Sequence, residues 1–402
     1  MNRQPDAEAA RSLLCAAAVR ARSNLVFAAV ERGEGRYFRL VPERLEAAAE
    51  RVAAVTRRRY PDLAVPYHSR WRHFAAGGIN RAELVAAGAD PAETARARIE
   101  LAFVSVLLDA GAGPHWRFRE RETGLTLARS EGLAAASFRA MAKGLFSDDP
   151  HRPWRADAAA LARLSVQDLA QALQHTADNA LVGIANRALL LRRLGAAAAR
   201  RPDLFGSPAR LGALYDYWLP RRAALPAPEM LCTLLKACAT IWPRPGDHAG
   251  TPPGDCGRHS AVPGDGLVPF HKLMQWLTYS LVEPLEAAGF RIVDLDGLTG
   301  LAEYRNGGLF LDCGVLAMRD PDLARRPLGP QSEPVVEWRA LTVALLDRLA
   351  PLVRKRLGKS PQQLPLARIL EGGSWAAGRE LAFERRRDGA PPLLVDGDGT
   401  VF

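Results

Sequence analysis

The stretch Leu267–Val315, LVPFHKLMQWLTYSLVEPLEAAGFRIVDLDGLTGLAEYRNGGLFLDCGV, carries the densest set of groups able to do chemistry. Leu273, Leu277, Leu281 and Leu285 recur every four residues, the spacing of an apolar helix face. Pro269 stands where such a helix would start, a position that does not use its missing N–H, and Pro284 should end or kink it. On that helix His271, Gln275 and Tyr279 share one stripe, and Lys272 and Trp276 share the next. A base, an amide, an ammonium and two aromatic rings are thus held side by side. Phe290–Val293 then reads as a short strand. Asn306-Gly307 signals a tight turn, because both residues tolerate positive φ. An extended run before that turn would place Glu303 and Arg305 on one side and Tyr304 on the other. Polar loops between apolar anchors are where binding groups tend to sit. The competing reading is a surface hairpin with a solvated ion pair.

Outward from this stretch the pattern is helical. Residues 7–30 and 40–58 are rich in Ala, Leu and Arg at helical spacing. Ile99–Leu108 is an apolar helix that delivers Asp109 into a glycine-rich turn. Ser130 is placed to cap the helix that follows. Two helices are expected over 157–195 and a pair over 208–242. The helix around Trp338, Leu341, Leu345, Leu349 and Leu352 is apolar almost all round over 340–346, so it should be central. Glu337 and Arg339 enter the protein at its buried N-terminal end, and buried charges are seldom left unpaired. Residues 243–266 are rich in Pro and Gly and read as a long surface loop. A terminal strand is expected in PPLLVDGDGTVF. The fold class is therefore mainly α, a compact multi-helix domain with a small β component. One domain is expected over 1–402, with a helical half at 1–242, the loop at 243–266 and a site-bearing half at 267–402.

Composition narrows the function. The 402 residues are 48% hydrophobic and 24% charged, as in a globular protein. No apolar run approaches a membrane span, and the polar opening MNRQPDAEAARSLL is unlike a signal peptide. Five scattered cysteines suggest a reduced, cytoplasmic protein without a disulfide framework. The formal charge is +10, yet only five of the 54 basic residues are lysine and acids are interspersed among them. That pattern argues against nucleic acid and membrane as partners and suits a small anionic substrate such as a phosphate ester. No CxxC or HExxH motif supports a metal, and no cofactor is expected.

The binding candidates outside the central stretch lie in VPYHSRWRHFAAGGINR. There His68, Arg70, Trp71 and Arg72 precede a glycine pair, as in a wall that binds an anion and stacks a ring. Core packing of Trp71 is the competing reading. Three acids are candidates for a catalytic carboxylate, in the order Glu303, Glu337, Asp109. Tyr304, Arg305, Asn306 and Arg339 complete the binding set. GKS at 358–360 lacks the earlier glycine of a phosphate loop. Ile292–Gly300 resembles the diphosphoribose loop of phosphoribosyltransferases, but without the βα alternation that houses it.

Several stretches together resemble one family, uracil catabolism protein four or uracil-regulated protein three, long described as a domain of unknown function. They are PYHSRWRHFAAGGINR, SVLLDAGAGPHWRF with ARSEGLA, LVPFHKLMQWLTYSLVEP, LTGLAEYRNGGLFLDCGVL, VVEWRALTVALLD, LEGGSWAAGRELA and DGTVF. Ala302 departs from the Pro of the family's GLPEYRNGG. The resemblance implies a uracil breakdown route through a nucleotide, in which the glycosidic bond of a ribosylurea species is cut. VPFHKLMQWLTYS with Glu337, Arg339, Ala340 and Thr342 is also similar to the queuosine phosphate N-glycosylase, which implies a helical, DNA-glycosylase-like fold. The expected activity is N-glycosidic hydrolysis of a ribosylurea or pyrimidine-derived ribose phosphate. The alternatives are a uracil phosphoribosyltransferase and a non-catalytic nucleotide-binding partner.

Overall fold

The computed structural model describes residues 7–242 and 254–397. The chain is mainly α-helical, with strands of only two or three residues. By its internal contacts it divides into two compact units, each built from segments distant in sequence. The first holds Met1–His68, His248–Gln275 and Asp294–Asp396; the second holds Ser69–Asp247, Trp276–Val293 and Gly397–Phe402.

The first unit is organised on the helix Glu333–Leu357. Pro334 lies in its first turn, where no N–H is required. Arg354, Lys355 and Arg356 face the negative end of its dipole, and Gly358 terminates it in the left-handed conformation. Residues 335–346 are all buried, as the apolar sequence predicts. The helices Ala16–Glu31 and Leu45–Arg59 pack against it. Val19 and Val26 meet Val336, Ala340 and Val343 there, together with Val262, Val268, Phe270 and Ala302. Each such valine contributes about 1.5–3 kcal/mol by leaving water.

Two antiparallel pairs complete this unit, Phe38–Leu40 with Leu316–Met318 and Cys256–Arg258 with Leu267–Pro269. The second pair corrects the expected surface loop. Residues 243–253 lie outside the described residues, but Asp255, Cys256, His259 and Val262 are buried. The loop-like composition of 254–266 builds a hairpin with a buried side. The expected terminal strand reduces, in the described residues, to a single bridge between Leu328 and Val395; residues 398–402 of that expectation lie outside them.

The second unit centres on the helix Pro91–Leu107. Asp90 caps it through the N–H groups of Ala92 and Glu93, both at 3.0 Å. It packs on Arg129–Ala142. Trp116, Trp218, Phe103 and Phe138 are fully buried here. Ser130 is not the cap of that second helix; Ala128 holds the N-cap position and Ser130 lies in the first turn. Ile292–Val293 pairs in parallel with Leu225–Pro226.

The predicted helix over the central stretch runs Lys272–Ala287, starting three residues after Pro269, which belongs to a strand. Pro284 does not end it: the N–H of Ala288 still reaches the carbonyl of Pro284 at 3.1 Å. No described helix is long and apolar enough to cross a membrane.

Candidate functional site

The segment around Glu303 departs most from the expected hairpin. Residues Tyr304–Asp312 form a helix, and Glu303 is its N-cap. Asn306-Gly307 makes no turn. Gly307 is helical, and a Cβ there would come within 2.7–2.8 Å of the Trp338 indole, so glycine is needed for close packing. The Glu303 carboxylate accepts the N–H of Arg305 at 2.7 Å and of Asn306 at 2.5 Å. Glu303 is half-buried, yet loss of water pushes its pKa above the usual carboxylate value. The two amides, then His68 and Lys272, pull it back without cancelling the rise. A carboxylate so placed exchanges a proton more readily near neutral pH than an ordinary one.

Asn306 ties this cap to a second element. Its Oδ1 accepts the Ser374 hydroxyl at 2.8 Å, and its Nδ2 reaches the Leu301 carbonyl at 3.3 Å. Ser374 closes a π-helical turn, Leu370–Ser374, between the helices Leu366–Ile369 and Trp375–Arg385. Such turns are frequent at functional sites. Glu371, on this turn, accepts a hydrogen bond from His68 Nδ1 at 2.9 Å through Oε2. The Trp375 ring lies 6.3 Å from that imidazole. Glu303, Lys272, His68 and Glu371 thus form one electrostatic group in the first unit. Glu371 is the member that sequence reasoning missed.

Other first-unit candidates are engaged in holding the fold. Glu337 is fully buried and accepts the N–H groups of Arg36, Tyr37 and Phe38 at 2.9–3.2 Å, and bonds His259 Nε2 at 2.9 Å. With that many partners it fixes the start of the strand Phe38–Leu40. Arg339 pairs with Asp255 and lies 4.0 Å over the Phe270 ring. Gln275 clamps Thr299 with both ends of its amide, donating to Oγ1 at 2.6 Å and accepting its N–H at 2.9 Å. His271 binds the Leu13 carbonyl at 2.9 Å from a left-handed backbone (φ 48°), and burial lowers its pKa. Arg305 donates to the Gly389 carbonyl at 2.8 Å and covers the Tyr304 ring at 4.9 Å.

The second unit gathers the remaining candidates. Arg70 is fully buried; its Nη1 stands 3.0 Å from Asp109 Oδ1 and its Nε donates to Ser105 at 2.7 Å. Trp276 stacks 5.5 Å from that guanidinium, with His73 edge-on to the indole at 5.8 Å. Trp71 donates to the Ser280 carbonyl at 2.7 Å and is core, the competing reading made for it above. Arg72 pairs with Glu283, and Tyr279 is buried. An open cleft lined by Arg119, Arg121, Gly124 and Gln174 also lies in this unit, but no carboxylate lines it.

The diphosphoribose-like loop does not enter a helix as that motif requires. It forms a single turn, Leu295–Gly297, and Asp296 accepts the Leu366 N–H at 2.7 Å and pairs with Arg354 at 2.5 Å. Among the described residues no group of three or more His, Cys, Asp or Glu is placed to hold a metal ion.

Comparison with known proteins agrees with these motifs. The chain is similar to "Uracil catabolism protein 4" of Lachancea kluyveri, 35% identical over 96% of this chain and 97% of that protein. It is similar to "Protein urg3" of Schizosaccharomyces pombe, 37% identical over 98% of this chain and 99% of that protein. Residues 12–402 match the family model described as a protein of unknown function, DUF1688. Near full-length identity above a third, together with that match, makes this chain a member of the DUF1688 family.

Proposed function

We propose that this protein acts in uracil catabolism, as an N-glycosidic bond hydrolase on a ribosylurea or pyrimidine-derived ribose phosphate. The names of its two relatives support the pathway. The observation that carries the reaction is Glu303, a half-buried helix-capping carboxylate that accepts the N–H groups of Arg305 and Asn306 and feels the charges of His68 and Lys272. Breaking a ribosyl C–N bond builds positive charge on the sugar. A carboxylate at that point stabilises the charge and takes a proton from the attacking water, by the logic of glycosidases. Lys272 supplies a point charge for a phosphate or an oxyanion. Trp375 and Tyr304 offer flat apolar surface beside the charged group.

The test offers the purified protein ribosylurea phosphate, uridine phosphate, and uracil with phosphoribosyl diphosphate. The expected result is consumption of the first or second with release of a ribose phosphate. Consumption of the third pair instead supports a phosphoribosyltransferase. Tight binding without turnover of any supports a nucleotide-binding partner.

A further inference from the structure

We propose that His68 is the general acid of this reaction and that Glu371 is the positioning residue that keeps it so; this rests on the hydrolase reading above. The argument begins with the backbone. Gly372 and Gly373 let the π-turn lie directly on the Leu45–Arg59 helix: a Cβ on Gly373 would meet the Val52 carbonyl at 2.5 Å, and one on Gly372 the Thr56 side chain at 3.1 Å. That contact puts Glu371 beside the C-terminal end of the helix. Arg59 Nη1 donates to the Glu371 carbonyl at 2.9 Å, and its Nη2 stands 3.5 Å from the carboxylate. The Tyr60 hydroxyl reaches Oε1 at 3.3 Å. The carboxylate is thus fixed from one side, and its other oxygen meets His68 Nδ1 at 2.9 Å.

His68 is itself pinned, since its N–H donates to the Ala367 carbonyl at 2.8 Å. Its side chain is 9% exposed and that of Glu371 11%, so water screens the pair weakly. A carboxylate at Nδ1 orients the ring and keeps a proton on that nitrogen, so Nε2 is the nitrogen that would exchange the second proton. The role asks only that Nε2 carry an exchangeable proton. Other charged groups acting here include Arg59, Glu303 and Lys272.

The step balances as follows. The C1′–N bond breaks and its electron pair leaves with nitrogen, which takes the Nε2 proton of His68. Water adds through oxygen to C1′, and its proton goes to Glu303. Glu303 then returns a proton to His68 by way of solvent. The sum is substrate plus water giving ribose phosphate and a free urea-type N–H.

The experiment joins activity to nitrogen NMR of the full chain labelled at histidine. In the wild type, His68 is expected to carry its proton on Nδ1 in the neutral form. Glu371→Gln is expected to lower kcat about 10–100-fold with KM nearly unchanged, and to release the Nδ1 tautomer preference of His68. Glu371→Asp should restore part of the rate. A neutral His68 protonated on Nε2, or a Glu371→Gln protein with normal turnover per folded molecule, overturns the proposal. If none of the three substrates turns over, the hydrolase reading fails by that result, whereas the His68–Glu371 arrangement is still decided by the NMR tautomer.

Discussion

Arg339 closes a two-pronged ion pair on Asp255, Nη1 to Oδ1 at 3.1 Å and Nη2 to Oδ2 at 2.8 Å, with both side chains almost wholly out of water. Asp255 Oδ2 also accepts the N–H of Lys272 at 3.1 Å. One carboxylate therefore fixes the long Glu333–Leu357 helix and the first turn of the helix that carries Lys272.

Asp255→Asn should destabilise the protein by roughly 3–5 kcal/mol, because it leaves a buried guanidinium without its counter-charge. A denaturant titration checks this. Burial alone would raise the pKa of Asp255, but Arg339, with His271, holds it below the usual 3.8. A depressed carboxylate pKa contributes stability that is complete above the unfolded value and is lost as pH falls through the folded one. Acid unfolding below about pH 4 should accordingly be less steep in Asp255→Asn than in the wild type.

Glu303→Gln should lower turnover ~10²-fold or more, the range of general acid–base groups. The carbonyl of glutamine still accepts one amide, so the cap loses on the order of 1 kcal/mol and the melt moves little. The folded pKa of Glu303 is raised, so its anion costs stability above that pKa and the cost vanishes below the unfolded one. Activity that needs the anion should fall as pH drops through the raised value. A rate profile between pH 4 and 8 reads both limbs.

Glu337→Gln should do the opposite. Glu337 receives three backbone N–H groups and His259, and an amide cannot satisfy them all. A loss of about 1–3 kcal/mol in stability is expected for each buried donor left unpaired, with turnover per folded molecule preserved. Comparing melts with active-site-normalised rates separates it from Glu303→Gln.

Lys272→Met should weaken a phosphorylated substrate far more than its dephosphorylated form, which paired KM measurements would show. Equal effects on both would place the phosphate elsewhere. Turnover is also expected to survive a chelator, since the proposed steps use only proton transfers among side chains; loss of activity on chelation would favour the transferase.

The helices at 272–287 and 333–357 were legible because their apolar spacing extends over several turns and agrees with their burial. Tyr304–Asp312 was not, since Asn-Gly has strong local turn chemistry and only the Trp338 indole, distant in sequence, explains the glycine. Asp255 was hidden in a stretch whose composition is that of a loop, with its partner 84 residues away. Glu337 and Arg339 were correctly expected to be buried, but burial could not say that one bonds a strand and the other Asp255. Glu371 sits in LEGGS, where a π-turn interrupts the regular helical count. His68, Lys272 and Glu303 were each named from sequence, though only the fold shows them acting on one another.

The turn at Leu370–Ser374 shifts the register of everything after it. A π-turn inserts one residue into a helix, and one residue is worth about 100° of rotation. Trp375, Gly378 and the remainder of Trp375–Arg385 therefore face a direction that an unbroken helix from Leu366 would not give them. Gly378 lies against the Arg305 carbonyl, where even a Cβ would come within 2.1 Å. Deleting one glycine of the Gly372-Gly373 pair would restore regular winding and turn that small face away from the helix capped by Glu303. Length at this point, together with the glycines, holds the two helices in contact.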